Sequence, residues 1–137
     1  MDNRPIGIFD SGVGGLAVVK EIIKTLPNEN IVYFGDTARV PYGAKSKDVV
    51  TKYSKQIVRF LLTKNVKAII VACNTVSSNS LEELKREFDI PFVGVVEPGV
   101  KSVIDTTKNN KVGIIGTEAT IRSGVYAELI HKSKQWF

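Results

Sequence analysis

The sequence is poor in the residues that staple or anchor small proteins. One cysteine, one histidine, one tryptophan and one methionine occur among 137 residues, and histidine stands only at His131. A lone cysteine, Cys73, forms no internal disulfide and supplies no cysteine-based zinc site, so a disulfide scaffold is excluded and no metal is expected. The longest uninterrupted apolar run, Ala68 to Cys73, is far short of the roughly 20 residues a transmembrane helix takes, so no membrane partner is expected. The sequence has no repeat, low-complexity tract or linker. Its opening, Met1-Asp2-Asn3-Arg4-Pro5, lacks the basic-then-apolar pattern of a secretory signal, which makes the cytoplasm the expected location.

What remains is ordinary globular composition, 43% hydrophobic and 24% charged, at a length of about one domain. The net charge of +5 comes from 19 Lys+Arg against 14 Asp+Glu. These cations are dispersed among acids, as in Lys20-Glu21 and Glu82-Glu83-Leu84-Lys85-Arg86-Glu87, and cluster only at Lys45-Ser46-Lys47 and Lys132-Ser133-Lys134. Nucleic-acid binding needs cations gathered on one face, so the expectation is solvated faces and no nucleic-acid partner, with a mild preference for anionic small molecules.

Short β-branched runs alternate with helical spacing. Candidate strands are Ile6–Phe9, Ile31–Phe34, Lys67–Ala72, Phe92–Val96 and Val112–Ile115, the last three nearly continuous in apolar residues, as parallel strands covered on both faces are. Helical stripes run through Leu16, Val19, Ile22, Ile23 and Leu26, ended by Pro27, and through Val49, Val50, Tyr53, Ile57, Phe60 and Leu61. Further stripes are Leu81, Leu84 and Phe88 before Pro91, then Val100, Val103 and Ile104, then Ile121, Val125 and Leu129 with Ala119, Tyr126 and Ile130. Five β-α units of this kind predict an α/β fold, a parallel β-sheet with helices on both faces. Gly35 to Ser46 is the longest irregular stretch, and the closing Trp136-Phe137 are large aromatics with nothing left to cover them.

Ligands of parallel α/β sheets gather at the carboxyl ends of the strands. The residues there are Asp10-Ser11-Gly12, Gly35-Asp36-Thr37, Cys73-Asn74-Thr75, Glu97-Pro98-Gly99 and Gly116-Thr117-Glu118. Any one of these can be a helix cap, but five together with a thiol point to a site. A cysteine at a helix start sits where backbone N–H groups favour thiolate, which acts as base or nucleophile, and Asp10 is the acidic neighbour that can orient it or exchange protons with it. Packing alone is the competing account of Cys73, and a binding domain without chemistry then follows. Gly12-Val13-Gly14-Gly15-Leu16-Ala17 fits G-x-G-x-x-A between strand and helix, with Asp36 ending the next strand, so a dinucleotide-binding module is the alternative. Against it, Asp10-Ser11 precedes the first glycine, where a carboxylate repels a pyrophosphate, and Cys73 goes unexplained.

The blocks Ile6-Gly7-Ile8-Phe9-Asp10-Ser11-Gly12-Val13-Gly14-Gly15, Tyr33-Phe34-Gly35-Asp36-Thr37-Ala38-Arg39-Val40-Pro41-Tyr42-Gly43 and Val71-Ala72-Cys73-Asn74-Thr75 closely resemble the glutamate racemase family, as do Gly94–Gly99 and Gly116–Thr120. The resemblance implies cofactor-independent interconversion of L- and D-glutamate for peptidoglycan synthesis, by two cysteines on opposite faces of the substrate, in enzymes that commonly dimerise. It assigns the first cysteine to Cys73, with Asp10 beside it. Substrate contacts fall to Asp10, Ser11, Pro41, Tyr42, Gly43, Asn74 and Thr75, and to Thr117 and Thr120 with less defined individual roles. It also implies a division into a first domain over 1–97 and the start of a second over 98–137. Family members run to about twice this length, and their second half carries the other cysteine beside a histidine. Neither is in this sequence, and His131 stands in no Cys-Thr-His context and reads as a surface residue. Ser133–Phe137 departs from the family pattern, as a truncation or altered reading frame produces. The expected fold is therefore incomplete relative to the family, and the 137-residue chain alone is expected to have negligible racemase activity.

Overall fold

Every residue of the first strand, β1 (Ile6–Asp10), is buried, which requires cover on both faces of the sheet. The computed structural model describes residues 1–134, so the expectation for Trp136-Phe137 lies outside the described residues. β1 is followed by α1 (Leu16–Thr25), β2 (Ile31–Gly35), α2 (Lys47–Leu62), β3 (Ala68–Val71), α3 (Asn74–Asn79), α4 (Leu81–Glu87), β4 (Phe92–Gly94), α5 (Val96–Thr106), α6 (Glu118–Ser123) and α7 (Val125–Lys134). The strands form one sheet in the order β2-β1-β3-β4, with parallel pairing throughout.

Alternation along β1 divides the core. Ile6 and Ile8 face α1, packing with Val18, Val19 and Ile22, whereas Phe9 faces α2 and α4 among Val58, Leu61, Ile69, Val71 and Leu84. Gly7 lies on the second face, where a Cβ would come to 3.3 Å from both Leu61 and Val66. The chain steps one way from β1 to β2 and the other way from β2 to β3, so right-handed crossovers put α1 and α2 on opposite faces. The direction reverses between β1 and β3, and ligands of such sheets gather at the strand ends beside a reversal of this kind. Asp10 and Cys73 stand there.

Several expectations need correction. Val112–Ile115 is not a strand: Ile115 is fully exposed and only Ile114 packs, against the α5–α7 cluster built on Val96, Val100 and Ile130. β propensity there finds no neighbouring strand to pair with among the described residues, so the sheet has four strands rather than five. β4 is shorter than expected because Val96 turns away into that cluster, which draws Glu97-Pro98-Gly99 into the first turn of α5. Pro98 fits there, since first-turn N–H groups have no helical acceptor. In α1 only Val19 and Ile22 of the predicted stripe face the sheet, joined by Val18, which the stripe left out, while Leu16, Ile23 and Leu26 are exposed. His131 is exposed on α7, as expected. No helix among the described residues is long and apolar enough to cross a membrane.

Candidate active site

Asp10 ends β1 and is buried beneath the glycine turn. Its Oδ2 accepts the N–H of Gly15 at 2.9 Å and that of Gly12 at 3.3 Å. A Cβ on Gly15 would lie 2.6 Å from the Asp10 Cβ, so the turn closes over the carboxylate only because that position is glycine. Tyr33 braces the same turn, its hydroxyl donating to the Gly12 carbonyl at 2.8 Å. This geometry answers the dinucleotide alternative. The N–H groups that would cradle a pyrophosphate already serve the chain's own anion. Asp36, which would take a ribose, accepts instead from Arg39 Nε at 2.7 Å and from the Tyr42 hydroxyl.

Cys73 ends the β3 segment and caps α3 in an extended conformation. It is 5% exposed and packs in the same core cluster as Tyr42 and Val76. Its thiol donates to Ser11 Oγ at 3.6 Å, which joins the turn after β1 to the end of β3. The hydrogen-bond partner is thus Ser11, and Asp10 acts on the thiol through its charge. Burial pushes the Cys73 pKa up, helped by the Asp10 carboxylate, while the Val76 N–H and Ser11 pull it down less strongly. The expected net stabilisation of thiolate at a helix start is therefore reversed: the N–H donor is present, but desolvation outweighs it. The reaction rate of Cys73 with iodoacetamide should accordingly rise with a midpoint above the ordinary thiol value of 9.0, because the thiol stays protonated up to its shifted pKa. A midpoint near neutrality would contradict this.

The Gly35–Ser46 stretch folds over the same edge. Tyr42 is 1% exposed, and burial together with the Asp36 carboxylate holds its phenol well above the usual range. Arg39 stacks on the Tyr53 ring at 4.0 Å, and Tyr53 packs on Tyr42 at 5.6 Å. The Tyr42 hydroxyl is committed to Asp36, so this side chain anchors the loop. Pro41 is exposed and follows Val40 through a cis bond. Gly43 carries the loop against the later segment: its carbonyl accepts the Ala119 N–H at 2.9 Å, and a Cβ there would lie 2.6 Å from Thr117.

Thr75, Thr117 and Thr120 meet in a chain of hydroxyls, 2.8 Å from Thr75 to Thr117 and 3.0 Å from Thr117 to Thr120. Thr117 also caps α6 by accepting the Thr120 N–H at 3.3 Å. Asn79 fastens the two segments, donating to the Thr75 carbonyl at 2.8 Å and the Ala119 carbonyl at 3.2 Å. Asn74 is exposed, with its Oδ1 accepting from the Tyr126 hydroxyl at 2.5 Å. The structure thus joins Asp10, Ser11 and Cys73 at one point, and Gly43, Thr75, Thr117 and Thr120 at another. Tyr33, Arg39, Asn79 and Tyr126 are supporting residues that sequence reasoning missed, since each partners a residue remote in sequence or reads as core.

Residues 6–134 match the model of the Asp/Glu/Hydantoin racemase family. A glutamate racemase of Geobacter metallireducens is 56% identical over 129 residues, which cover 94% of this chain and 48% of that protein. The structure of glutamate racemase from Francisella tularensis in complex with D-glutamate superimposes with a TM-score of 0.87 at 50% identity, covering 96% of this chain and 49% of that one. Glutamate racemase isoform RacE1 of Bacillus anthracis gives a TM-score of 0.94 at 42% identity, over 100% of this chain and 52% of that one. The chain spans about half the length of these relatives. Its four-stranded parallel sheet, its thiol at the strand reversal and a family match running from β1 through α7 agree: the chain belongs to the Asp/Glu/hydantoin racemase family.

Proposed function

We propose that this chain forms one face of a glutamate racemase site, with Cys73 as the base and acid for that face. The observation that carries the reading is the Cys73 thiol, held against Ser11 at the strand reversal with Asn74 and Thr75 opening the next helix. As thiolate, Cys73 takes the α-proton, and the electron pair of the broken C–H bond spreads into the adjacent carboxylate. A thiol on the opposite face then returns a proton to the α-carbon. Run in reverse, Cys73 is the donor. Burial suits both directions, because a desolvated thiolate is a stronger base and so better matched to a very weakly acidic carbon. Donors at Ser11, Asn74 and Thr75, with the backbone around Tyr42-Gly43 and the Thr117–Thr120 hydroxyls, are the groups suited to an anionic amino acid.

The sequence holds one cysteine, so the opposite thiol belongs to the half of the relatives that these residues do not span. The separate α5–α7 cluster and the unpaired Val112–Ile115 support a domain boundary near residues 97 and 98, with a second domain beginning there. In a complete enzyme the D-glutamate formed would serve peptidoglycan synthesis in the cytoplasm.

A chimera tests this reading: residues 6–134 replace the matching half of the Geobacter metallireducens relative. The expected result is racemisation of glutamate in preference to aspartate or a hydantoin. A chimera that is folded by circular dichroism but exchanges no glutamate α-proton in deuterated water would overturn it.

A further inference from the structure

Tyr126 lies near the start of α7, and its ring rests against Gly99 in the first turn of α5, where a Cβ would come to 3.5 Å from both ring and hydroxyl. Its hydroxyl reaches Asn74 Oδ1, 52 positions away in the chain. Asn74 opens α3 directly after Cys73. A primary amide offers a carbonyl acceptor at one end and two N–H donors at the other, and the backbone does not decide which way round it is held. A phenol that keeps its proton donates more strongly than it accepts, so it selects the carbonyl end. Burial raises the Tyr126 pKa, which preserves that proton to high pH. An ionised carboxylate only accepts hydrogen bonds, so the end of Asn74 useful to an amino-acid substrate is the N–H end.

We propose that Tyr126 is a positioning residue that holds the Asn74 carbonyl and so presents the Asn74 Nδ2 donors to a substrate carboxylate beside Cys73. This rests on the glutamate reading above, and it makes α7 part of the apparatus that orders the site although α7 carries none of the reacting groups. Tyr126→Phe removes the hydroxyl while keeping the ring against Gly99, and two measurements separate orientation from folding.

In the racemase chimera, Tyr126→Phe should raise KM for glutamate about five- to ten-fold with kcat nearly unchanged, the loss of one hydrogen-bonded donor. Asn74→Ala should show a similar rise, and the double variant should be no worse than Asn74→Ala alone. In the 137-residue chain, the ¹⁵N order of the Asn74 side-chain amide should fall on Tyr126→Phe while the backbone spectrum is retained. Unchanged amide order, additive effects of the two substitutions, or unchanged KM would each overturn the proposal. An inert wild-type chimera together with a loss of amide order would support the orienting contact and sink the glutamate reading, so the two failures are distinguishable.

Discussion

Cys73→Ser is expected to lower glutamate racemisation by the chimera at least about a thousand-fold, the upper part of the range for losing a general acid–base group. Serine is slightly smaller than cysteine and keeps a donor for Ser11 Oγ, so the packing around Val76 and Tyr42 should survive. What it lacks is an ionisable group: an alkoxide is out of reach at a pH where a thiolate forms. Wash-in of deuterium at the α-carbon, followed separately for each enantiomer, should fail most for the one whose α-proton faces Cys73. Glutamate binding should change little. That split between binding and exchange separates proton transfer from a domain in which Cys73 merely packs, where both would be retained. A loss smaller than about ten-fold would contradict the assignment. The unmodified 137-residue chain should show negligible racemisation, because one thiol reaches one face of a carbon that must be deprotonated and reprotonated on opposite faces.

The parts of this arrangement that were legible in sequence are those set by local pattern. Runs such as Ile6–Phe9 and Ala68–Val71 declare buried parallel strands, and the topology rules then bring Asp10, Ser11 and Cys73 to one edge. The parts that were not legible depend on what a residue meets after folding. Val112–Ile115 has the composition of a strand, but a strand exists only through a neighbour. The N–H donor beside Cys73 was foreseeable from the helix start. The burial that outweighs it depends on packing with residues remote in sequence, Tyr42 among them. The glycine turn is the sharpest case. Its spacing alone matches an anion cradle, and only the fold shows that Asp10 already fills it.

Gly35→Ala is expected to be the most damaging single-methyl change in the chain, costing about 3 kcal/mol of stability and disordering the site with it. Gly35 pairs with Asp10 on the last rung between β1 and β2, and the next residue's N–H donates to the Asp10 carbonyl at 3.0 Å. A Cβ there would lie 2.3 Å from the Gly12 carbonyl oxygen, a contact with backbone that no side-chain rotation relieves. Relief must come either from parting β1 and β2 or from lifting the Gly12 carbonyl, which would break its hydrogen bond from Tyr33. The second route also moves Ser11 away from the Cys73 thiol, so the variant should lose cover over that thiol as well as stability. Urea denaturation checks the first effect, and alkylation of Cys73 at fixed pH, faster in the variant as its cover loosens, checks the second. Gly113→Ala is the matched control. Nothing lies within 4 Å of a Cβ at that position, so its denaturation midpoint should equal or slightly exceed that of the wild type. Equal behaviour of the two variants would show that the close approach of Gly35 to Gly12 does not hold in solution, and the placement of Ser11 beside Cys73 would fall with it.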